Sequence, residues 1–288
     1  MKPALGSVDF ILNLAAILLW FSWRSLRTEA RGPFAAATLA GTLKKTALSS
    51  WRAWKFLAGL LALLAARGLL HHCLGSPAGW VWRLDLGPVV LAFRADFVPS
   101  ALVYSLLSFG RILAVAYFWL TAVVTVTRGV ADPDPIQKLL RLQAGRTLRW
   151  PWPLAACLPF LGVAVTWLAL QPVLVALDVV TRASVAHLLV QTLLLNAALC
   201  CTLKFVLPPL LLLHFIASYV YLGGNPIWEF VSNAAQQLVA PLKGLPLRIA
   251  KLDFTPLVEV ALILCLLHWV PWFIQSKLAQ HNLTLWPQ

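Results

Sequence analysis

Six long runs of apolar residues limit what this chain can fold into. They cover about residues 8–23, 55–72, 102–127, 151–171, 190–222 and 254–274. A helix of roughly 20 residues crosses the hydrocarbon core of a bilayer and satisfies its own backbone hydrogen bonds there. The 288 residues are 60% hydrophobic and 11% charged, more apolar than a soluble domain of this length can bury. The sequence therefore predicts an all-α fold, a polytopic membrane helix bundle with about six transmembrane helices.

The basic residues are concentrated in alternate loops. Residues 24–55, 128–149 and 243–251 hold 15 of the 23 Lys and Arg. Cytoplasmic loops carry such an excess, so the pattern places these loops in the cytoplasm and both termini outside it. Anionic lipid headgroups are then the expected partners of the basic loops, and the net charge of +13 does not indicate nucleic-acid binding.

One short pattern occurs twice along the chain. Asp134-Pro135 and Asn225-Pro226 each follow an apolar run, open an amphipathic stretch and precede a second apolar run. Asp or Asn followed by Pro is typical of a helix start, because the side chain caps free N–H groups and Pro fits the first helical position. Each unit is therefore predicted to be a span, an inner-surface helix and a returning span, with Lys138 of the first surface helix directed toward the headgroups together with Arg141.

Two such units in sequence keep the same orientation, because each crosses the membrane twice. We expect an N-terminal transmembrane hairpin with an outer interfacial segment at residues 1–95. A degenerate first repeat should follow at 96–172 and a second repeat at 186–275.

The second repeat resembles the YggT family of bacterial inner-membrane proteins, which also has plastid members. The resemblance covers about residues 196–270, and the first copy lacks an acid equivalent to Asp253. The family's paired-Arg stretch and the Gly pair before its Asp are largely missing. The matching motif positions over both copies are Asp134, Pro135, Asn225, Pro226, Pro241, Asp253, Thr255 and Pro256.

The resemblance implies a location in a bacterial inner membrane and a non-enzymatic function. Family members are tied to cytochrome assembly in plastids, to ion or osmotic homeostasis, and to cell or organelle division. Together with the surface helices and the scarcity of charge inside the spans, the resemblance favours an assembly or scaffolding factor, or an accessory subunit of a membrane complex. The expected partner is another membrane protein or a second copy of the chain. The alternative is ion or small-solute transport in osmotic homeostasis.

Ionisable residues inside the apolar runs are the candidate functional positions, since burying them in a membrane costs free energy. They are Arg111, Lys204, His214 and Glu259. His214 and Glu259 are expected at one depth, joined by a hydrogen bond, and Arg111 is expected to pair with Asp96. Long basic side chains near span ends extend to the interface, which is the interpretation for Lys204 and for Arg67 beside His71 and His72. Asp253 and Thr255 are explained as a helix cap, with a docking point as the alternative.

Two segments leave alternatives open. The apolar region at about 186–222 is some 55 Å long as a helix, more than one crossing needs, and Pro208-Pro209 interrupts it. A single kinked helix is expected, and a broken helix lining a cavity is the alternative. The outer segment at 74–100 is expected to be interfacial or re-entrant, with Trp80 and Trp82 at headgroup level.

No cofactor is predicted. The sequence contains no phosphate-binding, haem-attachment or zinc motif. Four of the five cysteines sit inside apolar runs and are expected to pack there as small apolar residues.

Overall fold

The structure, a computed structural model, describes residues 2–29, 46–77, 79–87, 89–129, 135–145, 150–220, 225–240, 248–249 and 252–280. Its elements are α1 (Lys2–Glu29), α2 (Thr46–Gly75), β1 (Val81–Asp85), β2 (Val90–Arg94), α3 (Val98–Val126), α4 (Pro135–Ala144), α5 (Trp152–Ala176), α6 (Val185–Cys201), α7 (Leu207–Tyr219), α8 (Pro226–Val239), β3 (Arg248–Ile249), β4 (Leu252–Asp253) and α9 (Thr255–Gln280). Short 3₁₀ turns at Thr127–Gly129 and Thr202–Phe205 follow α3 and α6.

Five helical segments are long and apolar enough to cross a membrane. Within the described ranges they are Gly6–Arg27, Ala53–Gly75, Val98–Gly129, Trp152–Ala176 and Val185–Tyr219. The apolar part of α9 with described side chains is shorter, Thr255–Trp269. The chain is therefore a helical membrane protein, as its sequence predicts, while the sixth span stays a prediction.

The first of two structural units contains residues 1–86, 90–114 and 176–179. Helix α1 packs along α2, and α3 completes the core. The buried side chains at its centre are Ala16, Leu60, Leu64 and Phe109. Apolar residues on three long helices thus bury one another at this level.

The outer segment of this unit is a β-hairpin, which the sequence analysis did not anticipate. Strands β1 and β2 pair antiparallel, with Trp82 opposite Phe93 and Leu84 opposite Leu91. Leu84, Leu91 and Phe93 are buried, while their neighbours along each strand are more exposed. This alternation is what a strand with one covered face requires. The connection turns at Gly87, whose φ of 98° favours glycine.

The second unit contains residues 87–89, 115–175 and 180–288. Helices α7, α8 and α9 share an apolar core made of Leu210, Leu211, Ala234, Ala235, Val239 and Val260. Helix α9 packs along α6 as well as along α7.

Both short helices expected after the repeated tripeptides are present in this unit. Helix α4 begins at Pro135 and α8 at Pro226, and the two helices contact each other. The Asn225 side chain accepts a hydrogen bond of 3.1 Å from the Ile227 N–H, as a cap should. Asp134 and Pro241 lie outside the described residues.

The exposed face of α4 differs from the prediction. Lys138 is exposed as expected, and so is Leu139, but the Arg141 side chain turns inward. Its Nη2 donates a hydrogen bond of 2.9 Å to the Thr127 carbonyl at the end of α3. The expectation that Arg141 points to the headgroups is therefore wrong, because a free carbonyl at a helix end accepts from it.

The fifth apolar run is a broken helix rather than a single kinked one. Helix α6 ends at Cys201, a 3₁₀ turn follows, and α7 starts at Leu207. Pro208 and Pro209 have no N–H to bond to the carbonyls four residues earlier, so an α-helix cannot continue through residues 204 and 205. Both prolines fall in the first turn of α7, where no such bond is needed.

Candidate functional site

Arg67 is the centre of a buried polar cluster in the first unit. The exposed fraction of its side chain is 1%. Its Nη1 donates to Asn13 Oδ1 at 2.7 Å, its Nη2 to Ser108 Oγ at 2.9 Å, and its Nε to Asp9 Oδ1 at 3.1 Å. The expectation that Arg67 extends to the interface is wrong, because acceptors on α1 and α3 satisfy the guanidinium inside the unit.

Six residues form this cluster, two from each of three helices. We call it the Arg67 network: Asp9 and Asn13 of α1, Arg67 and His71 of α2, and Tyr104 and Ser108 of α3. Each pair is separated by four residues, so both members lie on the same face of their helix. That spacing repeats in three apolar helices and was visible in the sequence. The spacing alone does not show that the three faces meet.

His71 bonds to acceptors through both ring nitrogens. Its Nε2 lies 3.0 Å from Asp9 Oδ1 and its Nδ1 lies 2.7 Å from the Arg67 carbonyl oxygen. The Tyr104 hydroxyl donates to Asp9 Oδ2 at 3.2 Å. Both carboxylate oxygens of Asp9 therefore accept hydrogen bonds from a neighbouring helix.

The hairpin covers the His71 ring. The Trp82 ring lies edge-on to the imidazole at a centroid distance of 4.5 Å, and the Tyr104 ring is 5.1 Å away. Phe93 packs on Tyr104 at 5.8 Å. Aromatic rings thus close the side of the network that α1 leaves uncovered, which keeps water from the imidazole and strengthens its polar contacts.

Small residues bring α2 and α3 close together beside the network. A Cβ at Gly68 would lie 2.7 Å from Leu102 Cδ2 and 3.1 Å from Leu102 Cα. The Ser105 hydroxyl donates to the Leu64 carbonyl at 2.8 Å. Close backbone approach at small residues is the usual way in which membrane helices associate.

The network lies near one end of the three spans. Asp9 is three residues from the start of its span, His71 four from the end, and Tyr104 six from the start. At 1.5 Å per residue these are depths of roughly 5–9 Å. Asp9 keeps a side-chain exposure of 20%. The Asp9 carboxylate is therefore placed where its desolvation costs less than at the centre of a bilayer. Arg67 is eight residues from the end of its span, about 12 Å deep, and its guanidinium is stabilised there by its three hydrogen-bond acceptors.

Arg111 does not form the predicted pair with Asp96. It is exposed, and its Nη1 donates to the backbone carbonyl of Asp85 in the hairpin. Asp96 instead pairs with Arg94, whose Nη2 lies 2.7 Å from its Oδ2. The hydrogen-bonded Arg94 guanidinium lowers the pKa of Asp96, and Asp96 raises the pKa of Arg94. The Asp96 carboxylate therefore pairs with Arg94, two residues away in the chain, and not with Arg111.

Lys204 is exposed on the 3₁₀ turn between α6 and α7. Its Nζ lies 5.1 Å from the centroid of the Phe205 ring. An ammonium over an aromatic face is a weakly favourable contact.

Glu259 is buried on α9 next to Val260, which packs against α7. Its Oε2 receives no hydrogen bond from the described residues. The predicted hydrogen bond between Glu259 and His214, which lies on α7, therefore does not involve Oε2. A bond from His214 to Oε1 stays a prediction.

Helix α9 begins at Thr255, so the residue that caps it is Phe254, which lies between the two predicted caps. The Phe254 carbonyl accepts from the N–H groups of Leu257 and Val258. Thr255 and Pro256 are buried inside the helix. Asp253 belongs to strand β4, where it lies opposite Arg248 of strand β3 in the antiparallel backbone register. Phe254 thus takes the cap position predicted for Asp253 or Thr255.

A hydrogen bond ties the broken helix to α3 within the second unit. The Trp119 indole N–H donates to Thr202 Oγ1 at 2.9 Å, and this hydroxyl donates to the Leu199 carbonyl at 2.6 Å. The Thr202 hydroxyl therefore bonds both to a carbonyl at the end of α6 and to the half-buried indole of Trp119. Nearby in the same unit, Trp167 Nε1 donates to Gln191 Oε1 at 3.3 Å.

No group of three or more His, Cys, Asp or Glu side chains that could hold a metal ion occurs in the described part of the chain. Comparison with known proteins gave no family model, no curated protein and no solved structure that matches this sequence.

Proposed function

We propose that this chain is a non-enzymatic membrane protein of the YggT type that acts as an assembly or scaffolding factor, or as an accessory subunit of a membrane complex. The proposal places it in a bacterial inner membrane with both termini outside the cytoplasm. Its basic loops would face anionic headgroups, and its partner would be another membrane protein or a second copy.

The observation that carries the proposal is the apolar core of α7, α8 and α9. Leu210, Leu211, Val239 and Val260 are each no more than 8% exposed and pack against one another. A transport path needs polar groups along a cavity, whereas a scaffold needs rigid packing. The first unit supports the same conclusion, because the guanidinium of Arg67, a buried cation, is bonded to three other side chains rather than presented to a solute.

The α4–α8 pair supplies a surface for a partner. The two helices contact each other, yet Leu139 is 63% exposed and Ile227 is 52% exposed. Lys138 and Glu229, one on each helix, are exposed as well. Apolar side chains next to opposite charges suit a protein partner that docks at the membrane surface.

Affinity purification in mild detergent tests this proposal. Tagged wild-type protein, an L139Q/I227Q double variant and a V185Q control would be purified in parallel, with reciprocal purification of any membrane protein recovered in comparable amounts. Val185 is 74% exposed at the start of α6 and serves as the matched apolar control. The proposal predicts a partner that is retained by the control and lost from the double variant. Recovery of the wild type alone or as a homo-oligomer would count against an assembly role.

Ion or solute transport is the second candidate, and two observations favour it. The helix break at residues 202–206 interrupts the α-helical hydrogen bonding inside a long apolar segment, and Glu259 is buried with one oxygen unbonded among the described residues. Purified protein in liposomes should then conduct K⁺ or H⁺ above empty vesicles, and E259Q should abolish the flux. Equal flux in wild-type and empty vesicles would exclude this candidate for these ions.

A further inference from the structure

One end of the first unit carries an arginine that contacts two tryptophan rings. We infer that Arg27 and Trp23 of α1, together with Trp54 of α2, form a binding site for the phosphate of an anionic phospholipid. We call these three residues the Arg27 site. The inference deepens the lipid contact of the proposed function, and it rests on that proposal for the leaflet that holds the lipid.

The Arg27 guanidinium bridges the ends of two membrane helices. Its Cζ lies 4.8 Å from the centroid of the Trp23 ring, one turn earlier on α1, and 5.8 Å from the centroid of the Trp54 ring on α2. A cation is attracted to an aromatic face at distances up to about 6 Å. The indoles therefore hold the guanidinium in place, but they offer no hydrogen-bond acceptor to its N–H groups.

The N–H groups of Arg27 are available to a ligand. The side chain is exposed, and it forms no hydrogen bond or ion pair in the described part of the chain. A guanidinium carries only donors, and its planar fork matches two oxygens of one phosphate. The position of Arg27 against the two rings thus suits an anion with paired oxygens.

The helix ends around the site contain basic residues and no acid. Residues 20–27 and 53–60 include Arg24, Arg27 and Lys55, and neither range contains Asp or Glu. Lys55 is exposed next to Trp54. The phosphate of a zwitterionic lipid is accompanied by a cationic group, which these side chains repel. The charge therefore favours a lipid with a net negative charge.

The Arg27 site lies at the level of lipid headgroups. Arg27 is the last residue of the first segment of membrane length, and Trp54 is the second residue of the next segment. Tryptophan is enriched at the membrane–water boundary, and long basic side chains near span ends extend to it. A phospholipid phosphate occupies the same level.

An exposed apolar stripe on α2 leads from the site toward the middle of the span. Trp54, Leu61 and Leu69 are exposed. Spacings of seven and eight residues place them on one face of the helix. Trp54 and Leu61 are about 10 Å apart along the axis, within the roughly 15 Å of one leaflet. An acyl chain can therefore lie along this stripe while the phosphate meets Arg27, which a soluble phosphate cannot do.

Native mass spectrometry of the full chain in detergent tests the site, with phosphatidylglycerol as the anionic probe and phosphatidylcholine as the zwitterionic one. The first phosphatidylglycerol should bind about tenfold tighter or more, the size of one charge-assisted hydrogen bond, and R27Q should lose this preference. R83Q removes an exposed arginine of the hairpin and should keep it. Equal affinity of the wild type for both lipids, or equal loss in R27Q and R83Q, would overturn the inference.

Two further variants separate the geometry of the site from its net charge. R27K keeps the charge but not the planar fork, and W54L keeps the arginine but removes one ring. Both should bind phosphatidylglycerol more weakly than the wild type. W152L, which removes an exposed tryptophan at the start of α5, is the matched control and should bind as the wild type does. Unchanged affinity in R27K and W54L would show that net charge alone attracts the lipid, and would contradict the site.

A soluble phosphate compound is the alternative occupant. Glycerol phosphate, which lacks acyl chains, should not displace phosphatidylglycerol at equal concentration, and displacement would overturn the lipid assignment. The result is separate from the test of the assembly role, because the L139Q/I227Q variant changes α4 and α8 and leaves Arg27 in place. Either proposal can therefore fail without the other.

Discussion

Nη1 of Arg67 lies 2.7 Å from Oδ1 of Asn13, and this contact joins the second membrane helix to the first. Both helices are apolar around this contact. The Arg67–Asn13 hydrogen bond therefore fixes the axial position of one helix against the other, which hydrophobic packing alone does not specify. The same guanidinium reaches Ser108 and thereby fixes α3 to the pair. Polar contacts in a membrane core give this kind of specificity.

Replacing Arg67 by Met should destabilise the first unit strongly. The substitution keeps most of the side-chain volume but leaves the Asp9 carboxylate without its guanidinium, which costs about 3–5 kcal/mol for a buried pair. Thermal unfolding in detergent would measure the loss. R94Q breaks an ion pair whose two side chains are 70% and 49% exposed, and should shift the transition far less than R67M does. Equal stability of R67M and the wild type would show that the Arg67 network does not stabilise the first unit.

Gly68 should tolerate no side chain. In G68A the new Cβ would meet the Leu102 backbone at 3.1 Å and the Leu102 side chain at 2.7 Å, so α2 and α3 must separate. We expect a loss of about 1–3 kcal/mol in the free energy of unfolding. Gly110 is the matched control, because a Cβ there meets nothing within 4 Å and Ala favours a helix. If G110A destabilised the protein as much as G68A, close packing would not be the cause.

The Thr202 hydroxyl should contribute to the free energy of unfolding, although it lies in an apolar run. T202V leaves the Trp119 indole N–H without its acceptor, at a cost of about 1–3 kcal/mol, whereas T202S should retain the bond. T192V is the matched control, since the Thr192 hydroxyl bonds to Leu188 within its own helix. Chemical unfolding of the four proteins in detergent compares them. The interpretation fails if T202S is as unstable as T202V.

Asp96 should titrate below the ordinary aspartate range. Its pKa is lowered by the hydrogen bond from Arg94, so the pair contributes stability at neutral pH that is lost as the pH falls through the lowered pKa. Carboxyl ¹³C NMR should show the Asp96 midpoint moving up toward about 4 in R94Q and staying in place in R83Q. A midpoint that R94Q leaves unchanged would contradict the assigned pair.

The five segments of membrane length were predictable from the sequence to within about five residues at each end, although helix α2 begins well before its predicted span, at Thr46. Apolar runs of membrane length set the spans, and the starts of α4 and α8 follow from Pro135 and Pro226, whose fixed φ suits a first helical turn. The interruption was predicted at Pro208-Pro209, but helix α6 already ends at Cys201. Pro208 and Pro209 have no N–H to donate to the carbonyls four residues earlier, so the helix is interrupted before the prolines themselves.

The Arg67 network was not predicted because it depends on which helix faces which. Asp9, Arg67 and Tyr104 are far apart in the sequence, and helical periodicity does not say that their faces meet. The hairpin was missed for a different reason. Its two strands are five residues each, and the alternation of buried Leu84, Leu91 and Phe93 with exposed residues is short beside the long apolar runs.

The central claim is that two membrane hairpins face the same way and turn at the cytoplasmic surface through α4 and α8. Cysteine labelling tests it most directly, with K138C and E229C introduced singly into a cysteine-free chain. Both positions are exposed, one on each helix. A membrane-impermeant maleimide should label both in inside-out vesicles and neither in intact spheroplasts. Labelling of the two positions from opposite sides of the membrane would contradict the account.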